Sequence, residues 1–381
     1  MDAGTGTLKT PINIALGTTL FEGGQNSNSL DGIGTYTQKL HEGLLAHPDI
    51  NPQPFCFNAH SVSSSTINAG DYRRQAIKSI FLKQPFSRLE QSLTANVVHA
   101  PDHLVPKLPN TPVIATLMDV IPLAHPEWVS YSFKGLTNRL WKHSFKWADQ
   151  IITISDFSKT EIVKWLGIPE QKVSAIHLGV DEAWNIAPSR EATSACFKKY
   201  GLEDGYLITV GTLQPRKNIS RLLDAHAKLP QHIRAEMPLV IVGREGWGVE
   251  QLCARLLTED PRYVKWVRRV GNEDLKTLVA GARALVFPSL YEGFGLPIIE
   301  AFAAGVPVIA ANQTAIPEIA SDAALLFDPE SPERITECMV AIYESSALCQ
   351  QLREAGKRRS RDFSWEATTE KTVEIYRRVL R

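Results

Sequence analysis

The sequence predicts an α/β protein made of two doubly wound domains, each a parallel sheet with helices on both faces. Three observations carry the prediction. The chain has 381 residues, more than one hydrophobic core usually serves. Short apolar runs of strand length alternate with longer amphipathic runs from end to end. That alternation occurs twice, interrupted once by a stretch rich in small and charged residues between Gly179 and Gly205.

Residues 1–11 are polar and glycine-rich with no apolar core region, so they predict a flexible N-terminus and no signal peptide. The first domain, residues 12–178, has strands expected at Ile12–Leu16, Pro54–Phe57, Val97–Ala100, Val113–Leu117, Ile151–Ile154 and Val173–Ile176. Residues 179–205 read as a linker carrying a short helix around Ala192–Tyr200. The second domain, residues 206–364, has strands expected at Tyr206–Val210, Leu239–Val242, Val264–Val270, Ala284–Phe287, Val308–Ala311 and Ala324–Phe327. A last helix, Trp365 to Leu380, occupies the terminal segment 365–381. In open α/β sheets ligands sit beyond the carboxyl ends of the strands, where strand order reverses. Two such sheets facing one another make a cleft, with one substrate on each lip.

Composition narrows the function. Lysine plus arginine equals aspartate plus glutamate, 41 of each, so bulk charge does not favour nucleic acid as a partner. Cys56, Cys196, Cys253, Cys338 and Cys349 are odd in number and scattered, which points to a reducing compartment without a disulfide framework or zinc site. No apolar run is long enough to span a bilayer, so a cytoplasmic protein, soluble or peripheral on the membrane, is expected.

The most informative run is Pro288-Ser289-Leu290-Tyr291-Glu292-Gly293-Phe294-Gly295-Leu296-Pro297, which continues to Glu300. It sets a strand before a glycine-rich loop, with Pro297 at the start of a helix and Glu300 in its first turn. Glycines let backbone N–H groups approach a ligand, and a helix N-terminus favours an anion. Paired carboxylates suit sugar hydroxyls, so the loop fits a phosphorylated sugar. An ordinary tight βα turn would show the glycines without the whole constellation.

Glu292 and Glu300, with seven residues between them that include Gly293, Phe294, Gly295 and Leu296, resemble the signature of glycosyltransferase family 4. The resemblance runs over nearly the whole chain from Ile12. It implies the GT-B architecture of two Rossmann-like domains, retaining chemistry, independence from metal and no cofactor. It assigns the nucleotide-sugar donor to the second domain and the acceptor mainly to the first, and it implies that the last helix crosses back onto the first domain.

Breaking a sugar–diphosphate bond requires that developing negative charge be neutralised. No two aspartates have the Asp-x-Asp spacing that holds a divalent metal in many transferases. Fixed cations are the alternative, and Gly211-Thr212-Leu213-Gln214-Pro215-Arg216-Lys217-Asn218 supplies them directly after a strand. Arg216 offers a bidentate fork and Lys217 a point charge, both suited to phosphate oxygens. The competing reading is a solvated basic turn. Many relatives carry arginine where this chain has Thr212, so Arg216 is a candidate to take over that role.

By resemblance, Glu300 meets the ribose, Glu292 lies beside the donor sugar, and the N–H groups of Phe294, Gly295 and Leu296 face the diphosphate. The base is placed against Val270 and Gly271, near Gly243 and Arg244. In the first domain Gly32-Ile33-Gly34 opens a helix after a polar loop, Gly23 to Asp31, and fits the family loop that touches diphosphate and acceptor. Gly34 is assigned to the donor and Gly32 to the acceptor. Asp119 follows a strand where many relatives have His-Asp. Met118 replaces that histidine, so no histidine role transfers, and Asp119 reads equally as a sugar ligand or an N-cap. Ser155 caps a helix and has only a secondary claim on the cleft. His99, His103, His125 and His177 pair with no recognisable nucleophile and read as structural. In the family's front-face chemistry the departing phosphate receives the acceptor proton, so no dedicated base is needed.

Arg73 to Arg88 carries five basic residues and no acidic one among Ile77, Ile80, Phe81, Leu82 and Phe86. Trp128 to Ala148 repeats the pattern with Lys134, Arg139, Lys142 and Lys146. Either these helices lie on an anionic membrane or they are core-facing helices with a solvated basic side. The motifs together look most like bacterial mannosyltransferases of surface-polysaccharide assembly. The resemblance therefore implies hexose transfer, GDP-mannose as donor, and a saccharide acceptor that is lipid-linked. UDP-hexose transfer is the alternative within the fold, and a GT-B nucleotide-sugar hydrolase or epimerase is the alternative outside transfer.

Overall fold

The computed structural model of the protein describes residues 11–22, 32–58, 66–130 and 134–381. The predicted flexible start, the polar loop Gly23 to Asp31 and the Tyr131–Phe133 portion of the second basic stretch lie outside the described residues, apart from Pro11. Thirteen described strands form two all-parallel sheets. The first contains β1 (Ile12–Gly17), β2 (Ile50–Cys56), β3 (Ile67–Asn68), β4 (Val97–Ala100), β5 (Val113–Thr116), β6 (Gln150–Thr153) and β7 (Val173–Ala175), in the spatial order 3-2-1-4-5-6-7. The second contains β8 (Leu207–Val210), β9 (Leu239–Val242), β10 (Val264–Val267), β11 (Ala284–Phe287), β12 (Val308–Ala311) and β13 (Leu325–Phe327), in the order 10-9-8-11-12-13.

Neighbouring residues on the first sheet's central strands go to different cores. Ile14, Val97, Ile114 and Ile152 join one apolar cluster, while Ala15, Val98, Val113 and Ile151 join another. Both faces are therefore covered by helices, which is why these strands read as unbroken apolar runs and not as alternations. Strand order reverses between β1 and β4 in the first sheet and between β8 and β11 in the second. The crevice at each reversal lies beyond the strands' carboxyl ends. The loops that leave β8 and β11 are thus neighbours in space although about 75 residues separate them in sequence.

Several sequence expectations need correction. β2 starts at Ile50 and includes Pro52 and Pro54, which paired strands tolerate only beside short or edge partners; its outer neighbour β3 has two residues and was missed. The run expected at Val264–Val270 ends at Val267, because Arg268 to Val270 turn away toward the helix Asn272–Ala280. The helix after β11 spans Leu296–Ala303, so Glu300 stands in its second turn and not its first. The basic stretches resolve into helices Tyr72–Leu82, Ser87–Ser92 and Lys134–Ser144, flanked by 3-10 turns.

The terminal helix Trp365–Val379 packs on the helix Gly32–Ala46 and on β6. Gly43 makes room for it, since a Cβ there would lie 2.2 Å from Thr369 Oγ1. The Tyr376 hydroxyl meets His99 Nδ1 at 2.7 Å, and His99 Nε2 meets Thr116 Oγ1 at 2.8 Å. Burial drives the His99 imidazole down to about 3, so it is a neutral structural bridge. Where the chain leaves the first sheet, Val180 pairs with Ser364, and a Cβ on Gly179 would lie 2.2 Å from the Trp365 nitrogen. Backbone cannot yield there, so the two strands of chain linking the sheets are locked side by side.

Candidate functional site

The loops leaving β8 and β11 bring the predicted basic pair against the predicted carboxylate. Arg216 Nη1 lies 2.9 Å from Glu292 Oε2, and Lys217 Nζ donates to Glu292 Oε1 at 2.6 Å. Backbone fixes both sides: Leu290 N donates to the Arg216 carbonyl at 2.7 Å, and Arg216 Nη1 donates to the Tyr291 carbonyl at 3.0 Å. Thr314, on the loop after β12, accepts from the Glu292 N–H at 3.2 Å. The arrangement is therefore built into the switch point and does not depend on one flexible side chain.

All three ionic groups are largely buried, with side-chain exposures of 18% for Arg216, 14% for Lys217 and 11% for Glu292. Burial alone would raise the Glu292 carboxyl, but the Arg216 and Lys217 charges outweigh it and hold it at about 2. Burial pushes the Lys217 ammonium down; Glu292 pulls it up, and Arg216 pushes it further down. The two directions describe one pair, and a buried cation this close to an ionised carboxylate stays charged. Two cations share this one ion-paired carboxylate, and the Asp119 carboxyl lies within electrostatic reach of Arg216. Lys217 also sits over the Phe287 ring, 5.0 Å from its centroid.

The first sheet closes the site from the opposite side. Ser155 Oγ donates to the Gly293 carbonyl at 2.7 Å, and Ser158 Oγ donates to it at 3.2 Å. A Cβ on Gly293 would lie 2.9 Å from the Met118 carbonyl and 3.3 Å from Asp119 Cβ, so the residue beside Glu292 must be glycine. Asp119 is thereby placed at the cluster. Its Oδ1 accepts from the Ile121 N–H at 3.1 Å, a local turn bond one residue ahead of the helix cap Val120, so Asp119 is not the N-cap. Burial raises its carboxyl and the Arg216 charge opposes that rise.

The remaining predicted residues sit around this centre at varying range. Gly211 has φ of +141° and lets the Lys217 stem pass, its missing Cβ lying 3.4 Å from Lys217 Cε. Thr212 follows it, half-buried. Gly295 has φ of +116° at the start of the helix carrying Leu296, while the Phe294 ring is buried against His177 and Phe363. The Glu300 carboxyl makes no ion pair or hydrogen bond among the described residues; burial, with the Asp181 charge, raises it to about 7. Val270 and Gly271 occupy the loop after β10, at the same sheet edge but two strands from β8. Gly32 and Gly34 open the helix after β1, Gly32 exposed and Gly34 buried.

Two contacts were missed by sequence reasoning. Glu318 reaches from the second sheet's side to accept from the Asp156 and Phe157 N–H groups at 2.9 and 3.1 Å, capping the helix Asp156–Leu166, and meets His177 Nε2 at 2.7 Å. Trp247 Nε1 donates to the Trp128 carbonyl at 2.6 Å. Neither carries a local sequence signal, because each joins residues more than a hundred positions apart. Among the described residues no group of histidine, cysteine and carboxylate side chains is arranged to hold a metal, and no helix is long and apolar enough to cross a membrane.

Comparison with known proteins agrees with this geometry. The model of glycosyltransferase family 4 matches residues 32–184, and that of glycosyl transferases group 1 matches residues 196–359. The chain is 33% identical over 290 residues to the O-antigen chain mannosyltransferase B of Escherichia coli, covering 74% of each. It is 28% identical over 240 residues to the serotype-specific mannosyltransferase WbdA of Escherichia coli, covering 62% of this chain but 29% of that longer protein. In fold it superposes on the sucrose-phosphate synthase of Thermosynechococcus elongatus with a TM-score of 0.74 at 20% identity, covering 97% of this chain and 99% of that one. With two facing parallel-sheet units in the GT-B arrangement, this chain belongs to glycosyltransferase family 4.

Proposed function

We propose that this glycosyltransferase moves mannose from GDP-mannose to a saccharide acceptor, with retention of configuration and without a metal ion, in polysaccharide or glycolipid synthesis. The buried Arg216–Lys217–Glu292 cluster carries the reading. In the free protein the Glu292 carboxylate occupies the cations as a diphosphate would. A donor diphosphate exchanges with it, taking both cations and releasing Glu292 toward the sugar, where it orients hydroxyls and steadies oxocarbenium-like charge. Arg216 and Lys217 then neutralise the leaving diphosphate, assisted by the N–H groups of Phe294, Gly295 and Leu296. Glu300 takes the ribose hydroxyls, Val270 and Gly271 flank the base, and Gly211, Thr212, Gly293 and Gly34 line the donor path. Asp119 and Gly32 face the acceptor. Mannose is favoured by the likeness to the O-antigen chain mannosyltransferase B, and GDP is the carrier proposed with it.

The acceptor is lipid-linked in this reading, and the protein works on the cytoplasmic face of the membrane. Phe81 and Leu82 are 71% and 62% exposed, beside Ile77 and Leu136, on helices that also carry Arg73, Arg74, Lys78 and Arg139. An apolar rim with basic neighbours fits an anionic lipid surface.

Three outcomes follow. Glu292→Gln leaves two buried cations unpaired, so the free protein loses stability, by about 3 kcal/mol. The same variant binds GDP more tightly than the parent in EDTA, by about tenfold, while transfer falls by about 100-fold; weaker GDP binding would contradict the exchange. Glu300 has a folded value of about 7 against 4.5 unfolded, so the folded state holds its proton more firmly. Its contribution is harmless below pH 4.5 and becomes a cost as pH rises toward 7 and above, on the order of 3 kcal/mol. Denaturant titration should therefore find Glu300→Gln more stable than the parent at pH 8 and equal to it at pH 4, with weaker GDP binding. Cosedimentation should occur with phosphatidylglycerol-rich vesicles, not with neutral ones, and weaken in Phe81→Ser; binding indifferent to anionic lipid argues against membrane docking.

A further inference from the structure

Beyond the donor centre, the mouth between the two sheets carries an aromatic wall that the exchange at Glu292 does not use. His125 and Trp128 stack face to face, with centroids 4.0 Å apart and planes 15° apart. Tyr291, the residue before Glu292, touches both rings edge-on, at 5.3 and 6.4 Å. Trp247 joins them from the loop after β9 through its N–H bond to the Trp128 carbonyl. Rings in mutual contact therefore run from Tyr291 to Trp128 and His125, and Trp247, 38% exposed, is held beside them through the Trp128 backbone.

The exposure of Trp247 is built in. A Cβ on Gly246 would lie 2.2 Å from the Leu213 carbonyl, and Gly248 has φ of +67° against Pro215. Glu245 is bridged to Leu213, on the same basic loop that holds Arg216 and Lys217. The loop is thus pressed onto the donor machinery and presents its indole to solvent from a fixed base. Exposed carboxylates flank the wall: Glu127 pairs with His125 at 3.1 Å, and Glu245 with Arg268 at 3.3 Å.

We propose that Trp247, with Trp128 and His125, forms a platform for the acceptor saccharide, holding the sugar residues behind the one that reacts. Pyranose rings present C–H faces that pack on aromatic planes, while their equatorial hydroxyls reach for carboxylates at the rim. The wall supplies both, at a site shared by the two sheets and continuous with Tyr291. The proposal rests on the glycosyltransfer reading of the Glu292 centre.

The test uses the full-length protein saturated with GDP and titrated with mannotriose, followed by tryptophan fluorescence, with Trp247→Ala and Trp247→Phe in parallel. The platform predicts a saturable fluorescence change in the parent, weakened about tenfold in affinity by Trp247→Ala and restored by Trp247→Phe. The affinity for GDP stays within about twofold of the parent in both variants. Equal losses of GDP and mannotriose binding in Trp247→Ala would mean that the indole only latches the two sheets, and would overturn the platform. GDP binding with no response to mannotriose overturns it too, and leaves the donor site standing. A mannotriose response that needs Trp247, in a protein that binds neither GDP nor UDP, supports the platform and removes the transfer reading beneath it.

Discussion

The buried contact of two cations with one carboxylate, Arg216 and Lys217 on Glu292, is the constraint around which the rest of the site is arranged. Such a cluster is poor material for stability, because desolvating three charges costs nearly as much as their attraction returns. Its geometry makes sense as a place where one anion is traded for another. It exists because β8 and β11 lie side by side where strand order reverses, so that the loops after them must meet. The carboxylate keeps the cations charged and oriented in a site that would otherwise push the lysine toward neutrality. Glu300 shows the opposite case: a carboxyl with no partner among the described residues, raised toward neutral pH by burial and by Asp181.

The two sheets cooperate at this cluster through a few polar contacts. Ser155 and Ser158 hold the carbonyl next to Glu292, and Glu318 caps a helix of the opposite unit. Behind them, Gly179 and Trp365 pass so closely that no side chain fits between. The terminal helix then ties back through Tyr376, His99 and Thr116. Packing is dense at that end and polar at the other, so any opening of the cleft would break hydroxyl and carboxylate contacts rather than the core.

Much of this was legible in the sequence, and the reasons can be traced to particular residues. Val97–Ala100, Leu239–Val242, Ala284–Phe287 and Val308–Ala311 appear in the structure with the expected bounds, because strands covered on both faces are apolar at nearly every position, His99 in the first being the exception. Ile67–Asn68 escaped notice since two edge residues carry no pattern, and Ile50 to Gln53 are too polar for a covered strand. Arg216, Lys217 and Glu292 were each legible as candidates from motifs placed after strands, but that they pair with one another needed coordinates. The clasp by Ser155, Ser158 and Glu318, and the meeting of Trp128 with Trp247, left no such trace. They depend on how two units face one another, which neither periodicity nor spacing encodes. Asp119 shows the middle case: its neighbourhood could be read, but its turn bond to Ile121 and its approach to Gly293 needed coordinates.

The central claim is that a diphosphate replaces the Glu292 carboxylate on the same two cations. A crystal structure of the protein with GDP bound in the absence of divalent metal tests it most directly. The account predicts phosphate oxygens within hydrogen-bonding distance of Arg216 and Lys217, with the Glu292 carboxylate withdrawn from both. Nucleotide bound elsewhere in the cleft, with both ion pairs to Glu292 intact, would contradict it.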